Sequence, residues 1–139
     1  MPTEFIQQNI WYIVIAAVSG FMLVWPGFRQ AGKPLSPALA TQFINHHEDA
    51  RVIDVREAHE YNAAHLPGAR NIPLKELKAR AEELADQKEK PLLLVCASGV
   101  RAGQACVFLQ KLGFSNLSKL DGGLDAWQRA GLPVKRESK

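Results

Sequence analysis

The chain has 139 residues, 47% of them apolar, two cysteines and a formal net charge of +3. That length supports one compact domain and a short additional segment. Two cysteines exclude a disulfide-stapled fold and favour a reducing compartment, and no basic cluster interleaves with aromatic residues to make a nucleic-acid surface.

From Phe5 to Phe28 there is no charged residue, and Ile10 to Trp25 is almost continuously apolar. About 20 such residues span the bilayer core as a helix. Trp11 and Tyr12 lie near one end and Trp25 near the other, where interfacial aromatic belts sit. A signal peptide would need a basic leading region and a small-residue cleavage site. Here Glu4 precedes the run without Lys or Arg, and Trp25-Pro26-Gly27-Phe28 offers no such site. A core helix would carry a polar face, and Ile10 to Leu23 offers only Ser19.

The reading is an uncleaved anchor over residues 1–28, a linker over 29–34 and a globular domain over 35–139. Arg29 and Lys33 follow the span, whereas only the amino terminus and Glu4 precede it. The positive-inside rule then places the domain in the cytoplasm at the inner (plasma) membrane, with the N-terminus outside. Ala16 and Gly20 form a small-xxx-small pair through which two anchors could dimerise.

Ser36-Pro37 reads as an N-cap followed by proline at the first helical position, and that helix should end near His46-His47. Arg51 to Val55 is a β-branched run suited to a buried strand. A short helix over Glu57 to Tyr61 and a turn at Leu66-Pro67-Gly68 follow. Asn71-Ile72-Pro73 should be an edge segment, because proline cannot sit in a central ladder. Leu74, Leu77, Ala81 and Leu84 recur at helical spacing on an amphipathic surface helix. Leu92 to Val95 is a buried strand, and Val100 to Leu112 a helix with Ala105, Phe108, Leu109 and Leu112 inward, closed by Gly113. Leu117 to Leu120 is a further strand, Asp121-Gly122-Gly123 a turn and Leu124 to Ala130 a last helix. Alternating strands and helices predict an α/β fold with an open, mostly parallel sheet flanked by helices on both faces.

In such sheets, sites lie beyond the C-terminal ends of the strands. Cys96 falls there, and so does the loop after Val55. The strand Leu92–Val95 stops at the cysteine, turns through Ala97, Ser98 and Gly99, and enters a helix. That geometry aims backbone N–H groups and the positive end of the helix dipole at one sulfur, favouring a thiolate and an anionic or sulfur-bearing substrate. Cys106 falls on an apolar helix face and reads as a packed core thiol. No Cys or His cluster has the spacing of a metal site, and the neighbours His46 and His47 would point about 100° apart on a helix. No metal or other cofactor is expected.

Four stretches then resemble motifs of the rhodanese family: Val52-Ile53-Asp54-Val55-Arg56; Glu60-Tyr61 with His65-Leu66-Pro67-Gly68-Ala69 and Asn71-Ile72-Pro73; the loop Cys96 to Arg101; and Gly122-Gly123 with Trp127. The resemblance runs from Leu35 to Val134, and an anchor ahead of one such domain resembles a recurring bacterial arrangement. It implies that Cys96 takes a sulfane sulfur from a small donor such as thiosulfate and passes it to a thiol or cyanide. It also implies that the backbone N–H groups of Ala97, Ser98, Gly99, Val100 and Arg101 cradle the sulfur anion. The Arg101 side chain would either contact substrate or brace the loop against an acidic partner. Asp54, Arg56 and His65 would support the loops or line the pocket rim.

Two other functions fit part of the pattern. Tyrosine-phosphatase-type loops place five residues between cysteine and arginine, and here four separate Cys96 from Arg101, a shorter cradle suited to sulfur. A tethered module without turnover, docking a membrane-protein partner, would account for the anchor.

Overall fold

The computed structural model describes residues 2–24 and 31–138. The anchor boundary at residue 28, the belt residue Trp25 and the orientation charge Arg29 lie outside the described residues. Helix α1 runs over Pro2–Val24. It is long and apolar enough to cross a membrane, a test that a signal sequence also passes, and none of the span is buried. Its side chains are exposed all round, Trp11, Phe21 and Leu23 among them, so it is not the core helix of a water-soluble domain.

The remaining elements alternate: β1 (Lys33–Leu35), α2 (Pro37–His46), β2 (Arg51–Asp54), α3 (Ala58–Ala63), β3 (Arg70–Asn71), α4 (Leu74–Arg80), a 3-10 turn over Ala81–Gln87, β4 (Leu92–Val95), α5 (Val100–Lys111), β5 (Leu117–Leu120) and α6 (Gly123–Arg129). All five strands are parallel, in the order β1-β5-β4-β2-β3. Every residue of β4 is buried, the mark of a central parallel strand covered on both faces.

Its side chains alternate between two cores. Leu92 and Leu94 pack with Leu77 of α4 and with Ala105, Cys106 and Leu109 of α5. Leu93 and Val95 face Ala40 of α2 and Leu124 and Trp127 of α6. Burying each of these leucines contributes about 1.5–3 kcal/mol before the entropy of ordering is counted. Ser36 caps α2 as expected, its hydroxyl accepting from the Leu39 N–H at 3.3 Å.

Three expectations need correction. Lys33 and Pro34, read as the end of a linker, form with Leu35 the edge strand β1, paired to Ser118–Leu120. Three residues are too few to show a strand period, and proline is tolerated at a sheet edge. The surface helix begun at Leu74 tightens to 3-10 winding at Ala81, which brings Leu84 and Gln87, three residues apart, onto one buried face. Leu112, expected inward, caps the end of α5 and is 39% exposed. The helical stripe ends with the helix.

Strands β2 and β4 are neighbours, yet the chain leaves them toward opposite edges of the sheet. Their C-terminal loops therefore diverge and leave a crevice, the usual ligand position in open α/β sheets. The Val55 N–H donates to the Val95 carbonyl at 2.9 Å and holds the two strand ends together.

Candidate active site

Cys96 is the first residue beyond β4, 1% exposed, with its Sγ accepting from the Gly99 N–H at 2.9 Å. Gly99 is the N-cap of α5 and has φ +105°, a left-handed conformation costly to any residue with a Cβ. A Cβ there would meet only ordinary contacts, so the backbone angle alone demands glycine. Twelve residues of helix follow, which aligns the dipole of α5 on the loop.

The loop is held from below by the first turn of α6. The N–H groups of Leu124 and Asp125 donate to the carbonyls of Cys96 (2.8 Å) and Ala97 (3.1 Å). In a planar trans peptide the N–H points opposite its C=O. Binding these two carbonyls to α6 therefore turns the N–H groups of Ala97 and Ser98 away from α6. The approach depends on Gly123, whose φ is +62° and where a Cβ would collide with the backbone of Cys96 and Ala97. The Gly122-Gly123 pair is thus the floor of the cysteine loop, a role its sequence did not reveal.

Arg101 does not reach over the cysteine unpaired. Its guanidinium grips Glu60 of α3 in a bidentate pair, Nη1 to Oε2 at 2.8 Å and Nη2 to Oε1 at 3.0 Å. Both side chains are about one-third exposed, 33% and 29%. The hydrogen bonds from Arg101 hold the Glu60 carboxyl at a pKa of about 2, and the same contact raises that of Arg101. Glu60 also accepts from the Glu57 N–H at 2.9 Å and so caps its own helix. Of the two readings of Arg101, the geometry is that of the brace. Glu60 was quoted only as part of a motif; a carboxylate placed to meet Arg101 across 41 positions has no local signal.

Asp54 and Arg56 form a buried pair on the loop after β2. The Arg56 Nη2 lies 2.7 Å from Asp54 Oδ2, its Nε 2.9 Å from Oδ1, and its backbone N–H 3.0 Å from Oδ1. Arg56 also donates to the Ala64 carbonyl, while Asn71 Nδ2 spans the carbonyls of Asp54 (3.0 Å) and Arg56 (2.9 Å). These contacts tie the loop to α3 and β3. His65 stacks on Tyr61 with ring centroids 3.9 Å apart, its Nδ1 lies 2.8 Å from the Tyr61 carbonyl, and its backbone pairs with Lys135. Ala97 is half-buried, whereas Ser98 and Val100 are exposed.

Cys106 lies in the core beneath α5, where burial pushes its thiol up to about 11. His46 and His47 each turn back onto a carbonyl of α2, at 2.7 and 3.0 Å. Among the described residues no group of three His, Cys, Asp or Glu side chains is placed to hold a metal ion.

The rhodanese-like domain family matches residues 38–130. The chain belongs to the rhodanese family. Bacillus subtilis YqhL, an uncharacterized protein, is 35% identical over 115 residues, spanning 83% of this chain and 88% of the relative. The thiosulfate sulfurtransferase GlpE of Actinobacillus pleuropneumoniae is 30% identical over 101 residues, 73% of this chain and 91% of the relative. Among solved structures, a rhodanese-related protein of Thermoplasma volcanium superposes with a TM-score of 0.66 at 30% identity, covering 74% of this chain and 97% of its own. This rhodanese thus has a sulfurtransferase-like function supported by its family and by relatives that carry that name.

Proposed function

We propose that the protein is a membrane-anchored sulfurtransferase in which Cys96 carries the transferred sulfur as a persulfide. The Cys96 thiolate attacks the outer sulfur of a sulfane donor. The donor's S–S bond breaks, its inner part leaves with the electron pair (sulfite from thiosulfate), and Cys96 is left as the persulfide. A thiol or cyanide then attacks the outer sulfur and leaves as a persulfide or thiocyanate, restoring the thiolate. Donor and acceptor balance the sum.

The observation that carries this reading is the Gly99 N–H aimed at Sγ from 2.9 Å. Donors fixed in advance around an anion stabilise it without reorganising during reaction. The anchor is α1, apolar and unburied. Lys33 and Arg29 after the span favour a cytoplasmic domain, where thiols stay reduced.

Intact mass spectrometry after incubation with excess thiosulfate or an organic persulfide tests the chemistry. The wild type gains one sulfur and Cys96→Ser gains none. A gain in both, or in neither, overturns the assignment. Resistance of the membrane fraction to carbonate extraction, with Pro2 retained at the N-terminus, tests the anchor against a cleaved signal.

A further inference from the structure

We infer that the domain rests on the anionic headgroup surface of the bilayer that holds α1, through a lysine-rimmed apolar groove between α5 and the 3-10 turn, and that this contact leaves Cys96 at the opposite pole of the sheet, open to water-soluble partners. The inference rests on the reading of α1 as a membrane anchor.

All five strands are parallel, so the sheet has two distinct poles. Cys96 follows the C-terminal end of β4. The chain coming from α1 enters the domain at the other pole. Ala31, ahead of β1, is buried in one core with Leu109, Phe114 and Leu117, and Gly32 lies against Cys106. Residues 25–30 separate the end of α1 from Ala31, and a fully extended chain of that length reaches about 20 Å. The tether therefore keeps the N-terminal pole close to the membrane surface.

Helix α5 runs back from the Cys96 pole toward that entry point, because it joins the parallel strands β4 and β5. Between its C-terminal half and the 3-10 turn lies a groove of about 380 Å³, lined by Phe108, Leu112 and Phe114 on one side and Ala81 and Ala85 on the other. Val107 and Leu112 are 40% and 39% exposed on the same half of the helix. Lys78 and Lys88 line the groove, Lys111 lies in the last turn of α5, and Lys33 and Lys90 stand by the strand starts. Glu82 and Glu89 oppose them, and the surface stays positive.

Apolar surface rimmed by lysine suits a headgroup layer. The apolar side chains and the lysine methylenes enter it, while the ammonium groups stay among the phosphates. A soluble partner would need an acidic surface of matching shape, whereas an anionic leaflet is already within reach of the tether. The Cys96 pole has the other character. Its Arg56 and Arg101 are paired with Asp54 and Glu60, and Asp121 and Asp125 stand there as exposed carboxylates. An anionic membrane thus attracts the groove and repels the sulfur site, which fixes the orientation.

The test reconstitutes full-length protein into nanodiscs of phosphatidylcholine alone, or of equal parts phosphatidylcholine and phosphatidylglycerol. Lysine acetylation by an N-hydroxysuccinimide ester is then followed by mass spectrometry. Lys78, Lys88 and Lys111 should react about fivefold more slowly in the anionic discs, the factor that one lysine gains at such a surface. Lys135 on the C-terminal tail serves as the unchanged reference. Added salt should remove the difference. The double variant Lys78→Glu/Lys88→Glu should lose the protection of Lys111, and Leu112→Ser should weaken it. Alkylation of Cys96 by uncharged iodoacetamide should run at the same rate in both discs.

Equal labelling of the groove lysines in both discs overturns the inference and leaves the anchor reading standing. Protection that ignores phosphatidylglycerol and rises with protein concentration assigns the groove to a second copy, and equally overturns it. Slower alkylation of Cys96 in the anionic discs places the sulfur site against the membrane and overturns the orientation. Protein that enters neither kind of disc overturns the anchor reading together with the inference.

Discussion

The two cysteines are both buried, in one core cluster and on either side of the same helix start, yet their surroundings differ. Cys96 sits where a strand has ended and α5 has not closed its first turn, so the Gly99 N–H is left over to face its sulfur. Cys106 sits inside α5, where those N–H groups are consumed by the helix, and its Sγ donates to the Ser118 carbonyl at 3.9 Å. Desolvation then dominates and keeps that thiol protonated. Burial is common to both sulfurs, and a directed backbone N–H donor is what distinguishes Cys96.

The sharpest way to break this contrast is to exchange the residues one at a time. Cys96→Ser is expected to abolish sulfur uptake, whereas Cys106→Ala retains it and loses about 1–2 kcal/mol of stability from the small cavity, read by denaturant unfolding. Full activity in the first variant or none in a folded second variant would reverse the assignment.

Next in size is the support of the neighbouring loop. Asp54→Ala strands the Arg56 guanidinium inside the fold and should cost about 3–5 kcal/mol, seen as a lowered denaturation midpoint. A loss under 1 kcal/mol (roughly the value of a surface pair) would mean that the pair does not hold the loop.

Gly123→Ala pushes a methyl group into the Cys96 and Ala97 backbone and should cost about 1–3 kcal/mol. It should slow sulfur uptake at Cys96 while leaving the inertness of Cys106 to iodoacetamide intact. An unaltered uptake rate would show that α6 does not position the cradle.

The smallest effect is in pH. The Cys106 pKa rises from an ordinary 9.0 to about 11 on folding, so its contribution is fully present below pH 9 and lost as pH climbs through 11. Glu60 runs the other way: its pKa falls from 4.5 to about 2, so its contribution is present above pH 4.5 and lost as pH drops through 2. Thermal midpoints across both windows should show an alkaline decline that Cys106→Ala removes and an acid decline that Glu60→Gln reduces.

Much of this was legible from local pattern. The run Leu92–Val95 ending at Cys96, the β-branched residues before Asp54 and the Ser36-Pro37 start each reported on their own neighbourhood, and each element formed there. Strand β1 was not legible, because Lys33-Pro34-Leu35 becomes a strand only by pairing with β5. Nor was the end of the regular helix at Arg80, which depends on what Leu84 and Gln87 face.

By itself the sequence determined an α/β chain with an apolar N-terminal helix and a cysteine at a strand-to-helix turn, because period, length and turn chemistry are encoded within a few residues. Tertiary structure decided how that turn is held. The grip of Glu60 on Arg101 and the fit of Gly123 against the loop join residues far apart in the chain. Such contacts arise only when β4, α3 and α6 converge at one end of the sheet, since charge pairing and close backbone approach depend on distance in space.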